Sequence, residues 1–287
     1  MNDSYAIELN NVTKQYKKSD FVLDSITCNF PRHSIVGLVG ENGSGKTTLI
    51  SIILNQLHRD SGEINVLGLD NIHEDYLIKR RIGVSIDECC YHPCFTPKDI
   101  NGIMKYIYSN WNKKKFLNYL RQFKIDASCR IEKMSKGMKS KLVLAAALAH
   151  ETDLLIFDEL TSGLDPVIRD DILNTLHQYV ENGNGSVLFS THITSDLDKV
   201  ADYVLFIHNG KQVLFDSVQN LHRDYTLVEI DNGDEPNFPI EKIIARNTRN
   251  KQQYLLKNCS DLIVSNHPTR APSLEEIMMV FIKGENS

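Results

Sequence analysis

The residues GENGSGKTT, at positions 40–48, place glycines, a lysine and hydroxyl side chains at fixed spacing. Glycines let the backbone curl into a concave set of N–H donors, and a helix N-terminus behind such a loop adds attraction for anions. A lysine at the mouth can reach the β- and γ-phosphates of a nucleotide, and the neighbouring hydroxyl can bind Mg²⁺. The pattern therefore predicts a phosphate-binding loop for ATP or GTP. The predicted nucleotide-binding residues are Gly40, Glu41, Asn42, Gly43, Ser44, Gly45, Lys46, Thr47 and Thr48.

The sequence on both sides of this loop supports the prediction. SIVGLVG, residues 34–40, is apolar and β-branched like a buried strand, and KTTLISIILNQL, residues 46–57, has apolar residues at helical spacing. The alternative, a glycine-rich surface turn, would need neither flank. Lys46 is therefore predicted to bind the β- and γ-phosphates, and Thr47 to bind Mg²⁺.

Two further apolar runs end in residues that could complete such a site. DLLIFDE, at 153–159, would bring Asp158 to the sheet edge beside the phosphate loop, as a Mg²⁺ ligand through water. Glu159 would accept a proton from attacking water. His192 ends the next run, where a ring nitrogen could donate to the γ-phosphate. Alternatively, the two acids merely end a strand and the histidine is a packing residue. The phosphate loop favours the functional roles.

The stretch EKMSKGMKSKLVLAAALAH, at 132–150, predicts a second anion site. A serine and a glycine precede a long Ala- and Leu-rich helix, whose first N–H groups and dipole attract negative charge. The phosphate site of the chain is already complete without this helix. A second anion-binding helix end therefore suggests a γ-phosphate that another copy of the protein presents.

Length and composition limit the architecture. The chain has 287 residues, a net charge of −5 and a pI near 6.1, which fits one large α/β domain with an appendage. The acidic balance predicts no nucleic acid partner. The start lacks the apolar core of a signal peptide, and no window is long enough for a membrane-spanning helix. We therefore expect a cytoplasmic protein, with any membrane role supplied by a partner subunit.

One cysteine-rich segment allows two interpretations. ECCYHPC, at 88–94, clusters three cysteines with His92, which could indicate zinc. The spacing matches neither a zinc ribbon nor a zinc finger, and no second Cys or His pair follows downstream. A loop of free thiols in a reducing compartment is the favoured interpretation. The cysteines of the chain are Cys28, Cys89, Cys90, Cys94, Cys129 and Cys259.

Hydrophobic patterning arranges these motifs on an α/β framework. Residues 6–16 and 21–30 alternate like antiparallel strands, and GEINVLG, at 62–68, is a further short strand. Residues from about 70 to 150 are mainly helical in pattern, and a helix is predicted over 165–183. Buried apolar runs are found at 34–40, 153–159, 185–192 and 203–216. The alternation predicts a mostly parallel sheet with the helical block as an insertion.

Beyond about residue 221 the phosphate-related motifs stop. LVEIDNG and QQYLLKN have the pattern of strands, and SLEEIMMVFIKG, at 273–284, predicts a helix. Ser273 would cap this helix, Glu276 would close the capping box, and Gly284 would end the helix. The apolar face of this helix is predicted to pack within the protein, or alternatively to help the chain dimerise. Its residues are Leu274, Ile277, Met278 and Phe281.

Together, the motifs resemble those of ATP-binding cassette (ABC) ATPase subunits, in kind and in order. The resemblance covers residues 5–220 and is highly specific. It rests on the phosphate loop, the signature MSKGM at 134–138, LLIFDE at 154–159, LTSGLDP at 160–166 and His192. The SKGMK form of the signature is similar to that of single-cassette subunits of bacterial ABC-2-type exporters, including exporters of antimicrobial peptides and drugs.

The resemblance implies a P-loop, RecA-like α/β fold. A mostly parallel sheet would carry an antiparallel β-subdomain and a helical insertion at about 87–150. The ATPase domain would span residues 1–220, and residues 221–287 would form a small C-terminal α/β extension. Tyr16 matches the aromatic residue that stacks on adenine, and Asp165 matches the acid of the D-loop, which connects the two sites of a dimer.

The resemblance also assigns the reacting groups. Glu159 matches the catalytic base and His192 the switch histidine. Ser135 and Gly137 match signature residues that contact the γ-phosphate across a head-to-tail dimer. The cofactors it implies are ATP and Mg²⁺.

Several positions depart from the family pattern. Asp87 stands where the family has Gln, at the end of the predicted strand RIGVSI, and its carboxylate could still reach Mg²⁺. Within the signature, Lys136 replaces Gly and Met138 replaces Gln, and Leu160 replaces the usual Pro after the catalytic base. The predicted metal ligands are Thr47, Asp158 and Asp87. The residues predicted to act on the partner's nucleotide are Ser135, Lys136, Gly137 and Met138.

In this interpretation, two cassettes, which form either a homodimer or a heterodimer, sandwich two Mg·ATP, and closure drives export of a substrate, such as a peptide or drug, through an integral-membrane partner. Residues 87–101 are the predicted contact with that partner, on the inner face of the membrane. One alternative is a soluble ABC ATPase in translation or DNA maintenance, which the single cassette, the lack of heptads and the acidic balance disfavour. Another is a nucleotide-sensing cassette with weak hydrolysis. Glu159 and His192 argue against it, whereas Asp87 and Lys136 leave it open.

Overall fold

A computed structural model describes residues 4–16, 21–86, 89–230, 243–247, 252–257 and 269–284. Within these residues, the strands form a main sheet of ten and a second sheet of four. The main sheet contains β1 (Tyr5–Gln15), β2 (Val22–Pro31), β3 (Ile35–Val39), β4 (Ser61–Val66), β5 (Leu69–Asp70), β6 (Ile82–Ser85), β7 (Leu154–Phe157), β8 (Ser186–Thr191), β9 (Tyr203–His208) and β10 (Lys211–Ser217). The second contains β11 (Tyr225–Ile230), β12 (Ile243–Asn247), β13 (Gln252–Lys257) and β14 (Thr269–Arg270).

Helices lie between these strands in the chain. They are α1 (Lys46–Ile53), α2 (Asp75–Lys79), α3 (Pro97–Ile107), α4 (Lys113–Gln122), α5 (Lys136–Leu148), α6 (Pro166–Glu181), α7 (Thr194–Val200), α8 (Val218–Asp224) and α9 (Leu274–Gly284). A short 3₁₀ turn, Ile131–Lys133, precedes α5. Since helices separate most of the central strands, those strands can run parallel to one another.

The strand order brings the predicted site residues to one edge. The main sheet runs β5-β4-β1-β2-β10-β9-β3-β8-β7-β6. From β9 to β6 all neighbours are parallel, whereas β1 is antiparallel to both β2 and β4. The predicted α/β fold with an antiparallel β-portion is therefore confirmed. Because parallel strands end at the same edge, the loops after β3, β8 and β7 are neighbours.

Alternate side chains of β7 enter opposite cores. Leu155 and Phe157 join a cluster with residues of α5 and α6, whereas Leu154 and Ile156 join a cluster with residues of α1. All are buried. A strand covered on both faces needs apolar residues at every position, which is why this run was recognisable in the sequence.

Two predicted helical segments differ from the structure. Helix α1 ends at Ile53 rather than at residue 57, because Asn55 takes a left-handed conformation with φ of 52°. The block predicted to be mainly helical also contains β6, which is the strand predicted at RIGVSI and pairs with β7 in the main sheet. Gly83 of β6 allows α5 to approach closely, since a Cβ built there would lie 3.0 Å from the Cβ of Ala147.

Helix α9 begins with the predicted capping box. The N–H of Ser273 donates to Glu276 Oε2 at 2.9 Å, and the N–H of Glu276 donates to Ser273 Oγ at 3.2 Å. Ile277 is buried in the cluster that contains α5 and α6, and Met278 and Phe281 pack against it. The prediction that this face packs within the protein is confirmed. Within the described ranges, no helix has the length and apolar character that crossing a bilayer requires.

Candidate nucleotide-binding site

The phosphate loop has a backbone shape that requires glycine. Gly45, immediately before α1, has a φ of 114°, a conformation that other residues rarely adopt. Gly40 has no room for a side chain, because a Cβ there would lie 2.2 Å from the carbonyl oxygen of Ile207 on β9. The predicted loop between β3 and α1 is thus formed as the sequence implied, with the start of α1 behind it.

The cation of Lys46 is buried inside this loop. Its Nζ donates to the carbonyl oxygens of Gly40 at 2.8 Å and Glu41 at 3.1 Å. Glu159 Oε1 lies 3.7 Å from the same ammonium group. Burial of a charge is tolerated only with such partners. The buried hydroxyl of Ser44 has no hydrogen-bond partner among the described residues, and it is therefore a candidate ligand for a phosphate oxygen.

A continuous hydrogen-bonded chain joins the loop to β7 and β8. Thr47 Oγ1 donates to Asp158 Oδ2 at 2.6 Å, and Ser190 Oγ donates to Asp158 Oδ1. The N–H of Glu159 in turn donates to Ser190 Oγ at 2.9 Å. His192 Nδ1 lies 3.1 Å from Glu159 Oε2, so that it donates to this carboxylate when the nitrogen is protonated. The structure thus brings together four predicted residues.

Ser190 is the member of this hydrogen-bonded network that sequence reasoning missed. It is completely buried at the end of β8, two residues before His192. Its hydroxyl touches both acidic residues, and it holds the backbone of Glu159 in a left-handed conformation with φ of 50°. That conformation costs a non-glycine residue about 1 kcal/mol. In the sequence, Ser190 is a polar residue inside an apolar run, two positions before His192. This polar position was the signal that could have identified it.

Tyr16 lies beside the start of α1, at the end of β1. Its hydroxyl is 3.4 Å from Thr48 Oγ1, and its ring centroid is 6.3 Å from that of Phe21. Phe21 also contacts the loop, because a Cβ at Gly45 would lie 3.0 Å from the tip of its ring. Two aromatic rings therefore lie next to the loop, of which the sequence had indicated only Tyr16.

The signature residues begin α5 and rest on α6. Ser135 caps α5 by accepting from the N–H of Met138 at 3.3 Å. Gly137 is buried against α6, since a Cβ there would lie 2.5 Å from Cδ1 of Ile168. Asp165 caps α6 in the same way, by accepting from the N–H groups of residues 167 and 168 at 3.1 Å. The two helix starts therefore form one packed unit.

Lys136 and Glu159 line the same cavity, of about 190 Å³, together with Asp158, Leu160 and Ser162. The ammonium of Lys136 also approaches Gly163, where a Cβ would lie 3.2 Å from its Nζ. The sequence had predicted a role for Lys136 only at the partner's nucleotide. In the structure, Lys136 also lines a cavity with Asp158 and Glu159 of its own chain.

A buried acid links the His192 side of the edge to the loop after β7. Asp196 of α7 accepts from Thr161 Oγ1 at 2.9 Å, and its Oδ1 lies 3.4 Å from Arg169 Nε of α6. Burial raises the pKa of Asp196 above its ordinary value, although the Thr161 bond and Arg169 oppose the shift. No motif marked this residue in the sequence.

Asp87, the remaining predicted metal ligand, lies outside the described residues, as does Cys259. Strand β6 ends next to the site, since the carbonyl oxygen of Ser85 accepts from the N–H of Asp158 at 2.8 Å. In the described part of the chain, no group of three or more His, Cys, Asp and Glu side chains is arranged to hold a metal ion. The zinc alternative for the segment at 88–94 therefore has no support there.

Comparison with known proteins identifies the class. The family model described as ABC transporter matches residues 23–162. A bacitracin transport ATP-binding protein, BcrA of Bacillus licheniformis, is 30% identical over 77% of this chain and 74% of its own length. A lantibiotic transport ATP-binding protein, SrtF of Streptococcus pyogenes, is 29% identical over 75% of this chain and 93% of its own length. The chain belongs to the ABC transporter family. It is an ATP-binding subunit of that family and an ATPase.

Solved structures show the same fold. The ATP-binding subunit of an ABC transporter superposes with a TM-score of 0.68, at 23% identity over 76% of this chain and 92% of that one. A dimeric ATP-binding cassette bound to ADP and Pi superposes with a TM-score of 0.66, at 21% identity over 74% of this chain and 98% of that one. The P-loop α/β architecture is therefore common to all of them.

Proposed function

We propose that two copies of this cassette hydrolyse Mg·ATP in shared sites, and that the cycle drives export through a separate integral-membrane partner. The observation that carries the proposal is the hydrogen-bonded chain from Thr47 through Asp158 and Ser190 to Glu159 and His192. It connects the start of α1 with two carboxylates and a histidine, which supports a site that binds phosphate and has a proton acceptor beside it.

The loop would bind the phosphates of ATP through its N–H groups, Ser44 and Lys46. Lys46 already lies between the loop carbonyls and Glu159, so its charge is positioned at the mouth. Mg²⁺ would be held by Thr47 and Asp158, whose oxygen atoms suit a hard cation. When bound, the ion neutralises negative charge on the β- and γ-phosphates. Asp87 remains a predicted third ligand.

Hydrolysis would use Glu159 as the general base. Its carboxylate takes a proton from water while the water oxygen bonds to the γ-phosphorus, and ADP leaves with the electron pair of the broken P–O bond. His192 Nδ1 lies 3.1 Å from Glu159 Oε2, and a ring with hydrogen on both nitrogens would donate to this carboxylate through Nδ1 and to the γ-phosphate through Nε2. Tyr16, beside Thr48, would stack on the adenine base.

The second half of each site would come from the other copy. Ser135, Lys136, Gly137 and Met138 begin α5, where the helix dipole and a lysine favour a γ-phosphate. Ser135 and Lys136 are exposed, as groups that meet a partner must be. Asp165, which caps the adjoining α6, would lie at the same interface and connect the two sites.

A mixing experiment tests the shared site. Lys46→Ala removes the phosphate ligand, whereas Ser135→Glu places a carboxylate against the partner's γ-phosphate, and each variant alone should be inactive. In a mixed dimer, the intact loop of one copy faces the intact signature of the other. An equal mixture should therefore recover about a quarter of the wild-type ATP turnover. A mixture as inactive as its components would contradict the shared site.

The partner would dock on an exposed apolar surface of α2 and α3. Tyr106 and Ile107 of α3 are 83% and 60% exposed, and Tyr76 and Leu77 of α2 are also exposed. The ends of the two helices are related by Arg80, whose Nη2 donates to Ser109 Oγ at 2.9 Å, and exposed apolar residues grouped on a surface favour a protein contact. This surface extends the contact predicted at 87–101. Docking there would hold the cassette at the inner face of the membrane.

The relatives named for bacitracin and lantibiotic transport support an antimicrobial peptide or drug as the exported substrate. A test is to trap tagged Glu159→Gln protein with ATP in its own host and identify what co-purifies from solubilised membranes. An integral-membrane subunit is expected, and it should be lost when Tyr106→Asp or Lys46→Ala is added. Recovery of ribosomes or DNA instead would favour a soluble role in translation or DNA maintenance.

A further inference from the structure

A cavity of about 550 Å³ lies beside the phosphate loop, between residues 40–42, residues 192–195 and helix α9. The wall on α9 is formed by Glu275, Met278, Met279 and Ile282. The helix comes from the C-terminal part of the chain, yet it borders the loop that carries His192.

Helix α9 is firmly fixed in this position. Leu274 and Ile277 are buried in the core cluster that also contains Leu197 of α7. Arg270 forms an ion pair with Glu276 that adds to the capping box. Met279 nevertheless remains 41% exposed on the cavity side. Packing within the chain therefore accounts for one face of α9 and leaves the face toward the phosphate loop open.

A second exposed apolar residue lies at the start of α6. Val167 is 72% exposed, and Asp165 holds its N–H at the helix cap. Gly137 of the signature packs against Ile168, the next residue. The signature and Val167 are therefore parts of one unit. In the proposed shared site the signature of a second copy covers the phosphate loop, and this packing of the signature on α6 would carry its Val167 toward the border of that loop.

We propose that the cavity between α9 and the phosphate loop receives the start of α6 from a second copy of this chain, with Val167 against Met278 and Met279. The inference rests on the proposed shared site, and the cavity is continuous with that interface. It has room for more than one side chain, and its apolar wall matches Val167. The C-terminal helix would thus recognise the partner cassette and contribute to closure around ATP.

The test uses a pair of opposite charges. Met279→Lys and Val167→Glu should each preserve the fold of the monomer. A lysine near the end of α9 and four residues after Glu275 is favourable, and so is a glutamate in the first turn of α6. When both substitutions are present in the same chain, position 279 of each copy faces position 167 of the other copy in a two-fold dimer. The opposite charges therefore pair twice. Ile72→Lys is the matched control, since Ile72 is 39% exposed and belongs to the turn after β5.

The measurement is the dissociation constant of the ATP-bound dimer by analytical ultracentrifugation, in a Glu159→Gln background that prevents turnover. Each single variant should weaken the dimer about tenfold or more. The double variant should return to within about threefold of the parent, because the new charges pair across the interface. Ile72→Lys should leave the constant unchanged. The ATP affinity of each monomer is measured separately, so that a loss of nucleotide is recognised.

The outcomes separate this inference from the proposal beneath it. If the parent forms no dimer with ATP, both the shared site and the docking cavity are wrong. If the parent dimerises and the single variants dimerise equally well, the shared site stands and the role of α9 is wrong. Weakening in both single variants without recovery in the double variant would mean that Val167 and Met279 do not meet, which also overturns the inference.

Discussion

The phosphate-binding edge, the sheet edge that carries Lys46, Thr47 and Asp158, and the start of α5 each contain the N-terminus of a helix, but they are built differently. At the phosphate-binding edge, Lys46 and Asp158 are buried and hydrogen-bonded within the chain. At the start of α5, Ser135 and Lys136 are exposed, and the serine hydroxyl accepts from its own helix. The side chains of the first region are held in position by contacts within their own chain. The second is open to solvent, as the proposed contact with a second copy requires.

This difference separates two tasks. A connected polar network can hold reacting groups in place at little cost during the reaction. An exposed helix end can be engaged and released as a partner approaches and leaves. The two regions are nevertheless joined, because α5 packs on α6 at Gly137 and α6 reaches α7 through Arg169 and Asp196. Substitutions can therefore test where binding, chemistry and coupling reside.

The largest expected effect is on chemistry at the phosphate-binding edge. Glu159→Gln should lower ATP turnover by about 100-fold or more, because an amide cannot take the proton from water. ATP affinity should change little, since the amide oxygen can still accept from His192 and Lys46 retains its loop partners. Phosphate release and equilibrium ATP binding measure the two quantities.

Glu63→Gln is the control for that substitution, because it removes the same charge from an exposed position on β4. It should leave both turnover and ATP affinity unchanged. If Glu159→Gln lost ATP affinity and turnover to the same extent, this residue would serve binding rather than chemistry. The assignment of chemistry to the phosphate-binding edge would then be wrong.

A smaller effect is expected at the start of α5. Gly137→Ala should displace Ile168, whose Cδ1 lies 2.5 Å from the new Cβ position. The resulting shift of the helix start should lower ATP turnover about tenfold and leave the ATP affinity of the monomer unchanged. Gly102→Ala in α3 is the matched control, since nothing lies within 4 Å of its Cβ position. This control should stabilise the fold by about 0.5–1 kcal/mol. Equal turnover in the two variants would mean that the packing of Gly137 is irrelevant.

The sequence predicted best those residues whose roles follow from local patterns. The phosphate loop is a contiguous motif with demanding backbone angles, and Asp158 with Glu159 directly follows a strand that is apolar at every position. The box of Ser273 and Glu276 also depends on a separation of three residues. Each of these patterns is set by the chain within one turn or one strand.

The rest depends on contacts between distant segments. Ser190 bridges Asp158 and Glu159 only because β8 lies next to β7. The cavity beside α9 exists because the end of the chain returns to the phosphate loop, which no local pattern can reveal. One missed feature was local: residues 203–216 form a hairpin of β9 and β10, and its Asn209–Gly210 turn has positive φ at both positions. An Asn-Gly pair between apolar runs is a strong hairpin signal.

The smallest expected effect concerns the link between the two regions. Burial raises the pKa of Asp196 above 3.8, while Arg169 and the more distant Lys199 and His192 oppose the shift. The native state therefore holds this proton at a higher pH than the unfolded state does. The stabilisation that results is fully present below the unfolded value and is lost as pH rises through the native value. Asp196→Asn removes this dependence but keeps an acceptor for Thr161.

The free energy of unfolding of the wild type, relative to Asp196→Asn, should therefore fall as pH rises from about 4 and then become constant, by on the order of 1 kcal/mol. Urea unfolding of both proteins over this range measures it. ATP turnover should fall about threefold in the variant at neutral pH, because the attraction between α7 and Arg169 is lost and the segment that positions His192 is held less firmly. A pH-independent difference together with unchanged turnover would show that Asp196 does not connect the two regions. The coupling would then have to pass through the packing of α5 on α6.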